Sequence, residues 1–108
     1  MTASRFIVLS VALSLVALSA DRGITANNER GAKLAAICAS CHCLDGRDRG
    51  IPSIVGMDRE KLADTMAAFK SGVRSGQIMH AVALSLSNEE IATLAEYLAA
   101  QLAETKPR

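Results

Sequence analysis

The chain has 108 residues, the size of one domain. Half of them are hydrophobic but only 3% are aromatic (Phe6, Phe69 and Tyr97), and there is no Trp. Twelve basic residues offset eleven acidic ones, which excludes a nucleic-acid-binding arm, a polybasic membrane patch and an acidic tail. So short a chain with so few bulky side chains builds a thin core, and domains of this kind often depend on a staple, a metal or a cofactor.

The N-terminus reads as an address. Met1 to Arg5 carries one basic side chain, and Phe6 to Leu18 is an uncharged apolar run of 13 residues. Small residues follow at Ser19-Ala20 and again at Thr25-Ala26. A charged start, an apolar centre and small residues before cleavage describe a secretory signal peptide. It is expected over residues 1–26, with cleavage after Ala20 or Ala26. The run is shorter than the ~20 residues that span a bilayer, which argues against a retained anchor. Residues 27–108 are then expected to form one exported domain in a bacterial periplasm. From Asp21 onward the basic and acidic residues number 11 each, so that domain is formally neutral.

Three helices are predicted in the exported part, and no alternating strand pattern of useful length is found. The first runs from about Asn28 to Ala39, with Leu34 and Ile37 as a narrow apolar edge among alanines. Asp45 to Gly56, rich in Gly, Asp and Pro, reads as loop. The second helix opens at Asp58, a good N-cap, places Leu62, Met66 and Phe69 on one face, and stops at Gly72. Val73 to Leu86 is apolar but weakly periodic, with room for one short helical turn. Ser87-Asn88-Glu89-Glu90 is a capping box that opens the third helix. Its stripe is Ile91, Leu94, Ala95, Leu98 and Leu102, with Pro107 beyond the end. The fold class is all-α with long irregular loops, which in so small a domain points to something else that holds them.

Cys38-Ala39-Ser40-Cys41-His42 is C-x-x-C-H, the spacing of covalent c-type haem attachment. Two thiols three residues apart lie on one face of a helical turn, where each can add to one vinyl group of the porphyrin. The next residue, His42, is left beneath the iron as an axial ligand. A thioredoxin-like redox pair would need a preceding strand and a βαβ context. A closed zinc site would need a second ligand pair from elsewhere, and His80 is the only other His or Cys besides Cys43.

A soft sixth ligand would close the iron site and raise its potential. Met66 shares a face with Leu62 and Phe69 and reads as core. Met57 ends the loop and reads as cover for apolar surface. Met79 lies in the irregular stretch after Gly72 and Gly76, well separated from His42, and is favoured by elimination. Met is also a common core filler, and His80 beside it leaves a bis-His haem open on composition.

On these residues the sequence resembles the class I c-type cytochromes, and within them the cytochrome c4 type and the small haem subunit of flavocytochrome c sulfide dehydrogenase. The segments GAKLAAICASCH, IPSIVGM and LADTMAAFKSGVRSGQIMHAVALSLSNEEIATLAEYLA carry the likeness, which covers about Asn28 to Ala100. The resemblance implies a small single-haem fold with three main helices and long loops around a covalently attached haem c. It implies that Met79 is the sixth iron ligand and that the Pro52 carbonyl holds the second ring N–H of His42, tuning the iron from outside its ligand set. It implies also that the first and last helices cross with Gly31 against Tyr97. Two departures stand out. Cys43 occupies the position after the ligand His where the family usually has Gly, as a buried small residue, an intermolecular disulfide partner or a redox-active thiol. Leu86 replaces an aromatic before the last helix, which would leave the haem edge more open.

The expected function is one-electron transfer, with His42 and Met79 bound in both iron states and Cys38 and Cys41 preventing haem loss. Leu62, Phe69, Ile78, Leu94 and Leu98 are expected to keep water away. The resemblance implies the haem subunit or electron acceptor of a sulfide or other sulfur-compound dehydrogenase. The implied donor is a flavin or molybdenum subunit, and the acceptor another cytochrome or an oxidase. A free-standing soluble shuttle is the alternative, followed by a haem enzyme or sensor with a labile sixth ligand. No nucleic-acid partner, and no stable membrane insertion after signal cleavage, is expected.

Overall fold

A computed structural model of the chain describes residues 23–101, which form four helices and no strand. The expected signal run up to residue 22, and Leu102 and Pro107, lie outside the described residues.

Helix α1 occupies residues 23–38, beginning earlier than the expected Asn28. The second cleavage position considered above, after Ala26, falls within it. Helix α2 is Arg59–Ser71, and both of its ends follow the sequence. Asp58 caps the start by accepting from the Lys61 N–H at 3.0 Å. Gly72 ends it in the left-handed conformation at φ +81°, donating its N–H to the Phe69 carbonyl. Helix α4 is Asn88–Ala100, and both halves of its capping box are formed, with Ser87 Oγ on the Glu90 N–H and Glu90 on the Ser87 N–H.

The difference lies between α2 and α4. Where the sequence suggested one short turn, Gln77–Ser85 forms a nine-residue helix, α3. Its start at Gly76 has no side-chain cap, and of its residues only Ala83 is buried. The periodicity is weak because its apolar side chains divide between the core and a cleft described below.

One apolar core joins the helices: Leu62, Met66 and Phe69 of α2, Ala83 and Leu86 around the end of α3, and Ile91, Leu94, Ala95 and Leu98 of α4. From α1 only Ala35 enters it fully. Leu86 is therefore packed in the core rather than set at an edge. α1 and α4 meet backbone to side chain at Gly31, where a Cβ would lie 2.5 Å from Tyr97 Cβ, so only glycine allows the approach. Arg30 on the same helix reaches Glu89 at 3.2 Å and Glu90 at 3.7 Å, exposed pairs that add little beyond the packing. Lys70 Nζ closes the opposite side, donating to the Leu86 carbonyl at 2.6 Å and to Asn88 Oδ1 at 3.2 Å. The loop between α1 and α2 is held to the bundle where the Gly56 N–H donates to the Leu98 carbonyl at 3.0 Å.

Candidate metal centre

The C-x-x-C-H segment sits where α1 unwinds. The Cys41 and His42 N–H groups both donate to the Cys38 carbonyl, at 3.1 and 2.8 Å, so the segment wraps one turn. That wrap brings Cys38, Cys41 and His42 to the wall of one cleft. Its inner lobe, of about 90 Å³, is lined by Cys38, Cys41 and His42 with Leu62, Met66, Leu94 and Leu98, and Met79 enters from α3. Its outer lobe, of about 350 Å³, shares Cys41, His42, Met66 and Met79 and continues past Pro52, Met57, Thr65, Phe69 and Arg74.

His42 is oriented by the loop. Its Nδ1 lies 2.6 Å from the Pro52 carbonyl oxygen. A carbonyl can only accept, so Nδ1 carries the proton and Nε2 is left with its lone pair. His80 has the same arrangement on a different partner, its Nδ1 lying 2.6 Å from the Phe69 carbonyl at the end of α2. It does not line either lobe, whereas Met79, its neighbour on α3, lines both. Met66 is buried in the core, as its helical face predicted, and Met57 is a partly buried residue against the core and the outer lobe.

All three cysteines are free thiols; Cys41 is exposed, and Cys38 and Cys43 are half-buried. Burial pushes the Cys38 thiol above its ordinary value. That is the reverse of the lowered thiol of a disulfide oxidoreductase. Among the described residues no three His, Cys, Asp or Glu gather to hold a metal ion, so the zinc reading has no second ligand pair. Cys43 is neither a buried packing residue nor paired with another cysteine in this chain.

Three observations test whether a haem fits. The inner lobe is lined by apolar, sulfur-bearing and imidazole side chains, with no charged group. Isoleucines at the cleft are left in water: Ile37 is 56%, Ile51 42% and Ile78 74% exposed, an arrangement that wants a large apolar body against it. Of the residues expected to exclude water, Leu62, Phe69, Leu94 and Leu98 are buried and Ile78 is not. Finally, Ser53 Oγ, in the loop between Pro52 and Ile54, is buried without a hydrogen-bond partner. The residues fit a flat apolar cofactor with a polar edge.

Comparison with known proteins agrees. Residues 28–101 match the cytochrome c family. The cytochrome subunit of sulfide dehydrogenase from Chlorobaculum tepidum is 39% identical over 69 residues, covering 63% of each chain. The thiosulfate dehydrogenase electron acceptor of Stutzerimonas stutzeri is 36% identical over 97 residues, 86% of this chain and 44% of that protein. Cytochrome c-553 of Helicobacter pylori is 39% identical over 64 residues, 56% of this chain and 67% of that protein. The chain thus spans less than two thirds of the length of the first two of these relatives. Among the described residues no helix is long and apolar enough to cross a membrane. With C-x-x-C-H at the end of α1 and an apolar cleft beneath it, the chain belongs to the cytochrome c family and carries covalently attached haem c.

Proposed function

We propose that this chain is a periplasmic electron acceptor for a dehydrogenase of reduced sulfur compounds, with haem iron held between His42 and Met79. The observation that carries the ligation is the meeting of these two side chains, from the end of α1 and the first turn of α3, in one cleft beside Cys38 and Cys41. Two relatives named for sulfide and thiosulfate dehydrogenases support the partner class. The signal-like run over the first 26 residues supports export.

When bound, haem supplies a one-electron couple. The chain's own groups do the rest. Cys38 and Cys41 would hold the porphyrin by thioethers and prevent its loss. His42 donates Nδ1–H to the Pro52 carbonyl, which fixes the tautomer and leaves the Nε2 lone pair available to a metal. Met79 offers a soft thioether, which favours the reduced state relative to a harder ligand. Leu62, Leu94 and Leu98 keep water from the inner lobe. Ile37, Ile51 and Ile78, exposed at the cleft, would offer a redox partner a small transient contact. A flavoprotein subunit is the proposed donor and a further cytochrome or oxidase the proposed acceptor.

The test is an absorption spectrum of the exported holoprotein with a pyridine haemochrome assay, repeated for Met79→Ala. The wild type is expected to carry one covalent haem and a weak far-red sulfur-to-iron band. Met79→Ala is expected to lose that band and to bind carbon monoxide rapidly when ferrous. A wild type without covalent haem ends the reading, and an unchanged spectrum in Met79→Ala removes Met79 as ligand. Reduction of the ferric protein by a flavoprotein with sulfide, and not by the flavoprotein alone, tests the partner.

A further inference from the structure

We propose that His80 is the positioning residue that selects Met79 as the cleft-facing donor of α3 and withholds its own imidazole from the iron. This rests on the ligation reading above. The two side chains are neighbours in sequence, and each is a group that haem iron accepts. Consecutive residues of a helix point about 100° apart, so a rotation of α3 by that amount exchanges one for the other at the wall of the cleft.

Packing does little to fix that rotation. Ile78, Met79 and Val82 line the cleft, and only Ala83, with a single methyl group, is buried against the core. The helix starts at Gly76 with no side-chain cap. What holds its first turn lies at Phe69, in the last turn of α2. A Cβ at Gly76 would stand 3.0 Å from Phe69 Cε1, so the two elements approach closely there. His80 Nδ1–H donates to the Phe69 carbonyl across 2.6 Å. That carbonyl is one of the last four of α2, which lack the regular partner one turn on and carry the negative end of the helix dipole. Among the described residues, no other side chain of α3 bonds to another element; Ser85 Oγ donates within the helix, to the Val82 carbonyl. His80 and Ala83, three residues apart, therefore share the face on α2 and the core, and Met79 is turned to the cleft. With its proton on Nδ1, His80 keeps a lone pair on Nε2. It is a competent ligand held away by its bond.

The readout is the ease with which an outside ligand takes the sixth site. Imidazole binds the ferric holoprotein only where Met79 has left the iron, so its observed affinity rises with the fraction of molecules in which α3 has turned or loosened. His80→Leu, which removes the donor, is expected to tighten imidazole binding by about threefold to tenfold, the range of one neutral hydrogen bond. His80→Asn, whose side-chain N–H stands close to the place of Nδ1–H, is expected to recover most of the wild-type value. Lys70→Met cuts the bonds to the Leu86 carbonyl and Asn88 at the far end of α3. It is expected to lower the denaturant midpoint and to leave imidazole affinity unchanged. A role for His80 in stability alone would move the two sites alike.

The measurement is an imidazole titration of each ferric holoprotein, followed by the loss of the far-red sulfur-to-iron band. A His80→Leu protein with wild-type imidazole affinity overturns the proposal, as does an equal change in Lys70→Met. If His80→Leu yields no holoprotein, Met79→Ala decides. With the bond to Phe69 in place, its ferrous iron is expected to stay open to carbon monoxide. A low-spin bis-histidine spectrum in that variant would show His80 on the iron and overturns the withholding. A wild type without the far-red band is a different failure, since it removes Met79 as ligand before His80 comes into question.

Discussion

The crossing of α1 with α4 and the cleft under α3 are built on opposite terms. At the crossing the chain fills its own space: Gly31 is buried against Tyr97 and leaves no room even for a methyl group. At the cleft the chain leaves space, and isoleucines of a size that elsewhere would be core stand in water. The first region can be specified by side-chain packing alone. The second is complete only with an apolar body of porphyrin size, so its stability and its function depend on the same object. The few aromatics in the chain fit this division, because the cofactor supplies the broad flat surface that Trp and Phe supply in other small cores.

The sharpest way to break the contrast is to remove the tether. Cys38→Ala/Cys41→Ala is expected to lose cooperative thermal melting and most tertiary order, keeping residual helix near α4, as read by circular dichroism. Native helicity with a cooperative transition would mean that the crossing supports the fold unaided. A smaller effect tests the crossing itself in the holoprotein. Gly31→Ala places a Cβ against Tyr97 Cβ and is expected to cost about 1–3 kcal/mol in denaturant unfolding, with the haem spectrum unchanged. A neutral result would show that α1 can shift without cost. The smallest effect concerns the α4 cap. Ser87→Ala, which removes the hydroxyl that accepts from the Glu90 N–H, is expected to cost about 1 kcal/mol in denaturant unfolding. The bond from the Ser87 N–H holds the Glu90 carboxyl below its ordinary value, with Arg30 contributing further. A lowered folded value stabilises above the usual carboxylate range and is lost as pH falls through it. The acid limb should therefore be shallower in Glu90→Gln, measured by urea midpoints across pH.

Several parts of the structure were legible in the residues because their causes are local. Asp58 and Ser87 cap the helices they were expected to cap, Gly72 stops α2, and the stripes on α2 and α4 are buried. The two cysteines and His42 announce the cofactor by spacing alone. Helix α3 was not legible: its start has no side-chain cap, and Met79 and Val82 face a cleft that only the cofactor explains. The exposure of Ile78 was missed for the same reason, since a residue that covers a ligand looks in sequence like one that covers a core.

By itself the sequence determined the chemistry: C-x-x-C-H within 108 residues specifies a covalent haem, and the capping and stripe residues specify the helices that surround it. Only the tertiary structure decided which other groups reach that chemistry. It set Pro52 on His42, bound His80 to the end of α2 rather than to the cleft, and brought Met79 to the wall. The reason is range. Caps and periodicity act over one or two turns, whereas the partners of an iron site are joined only when helices distant in sequence pack against one core.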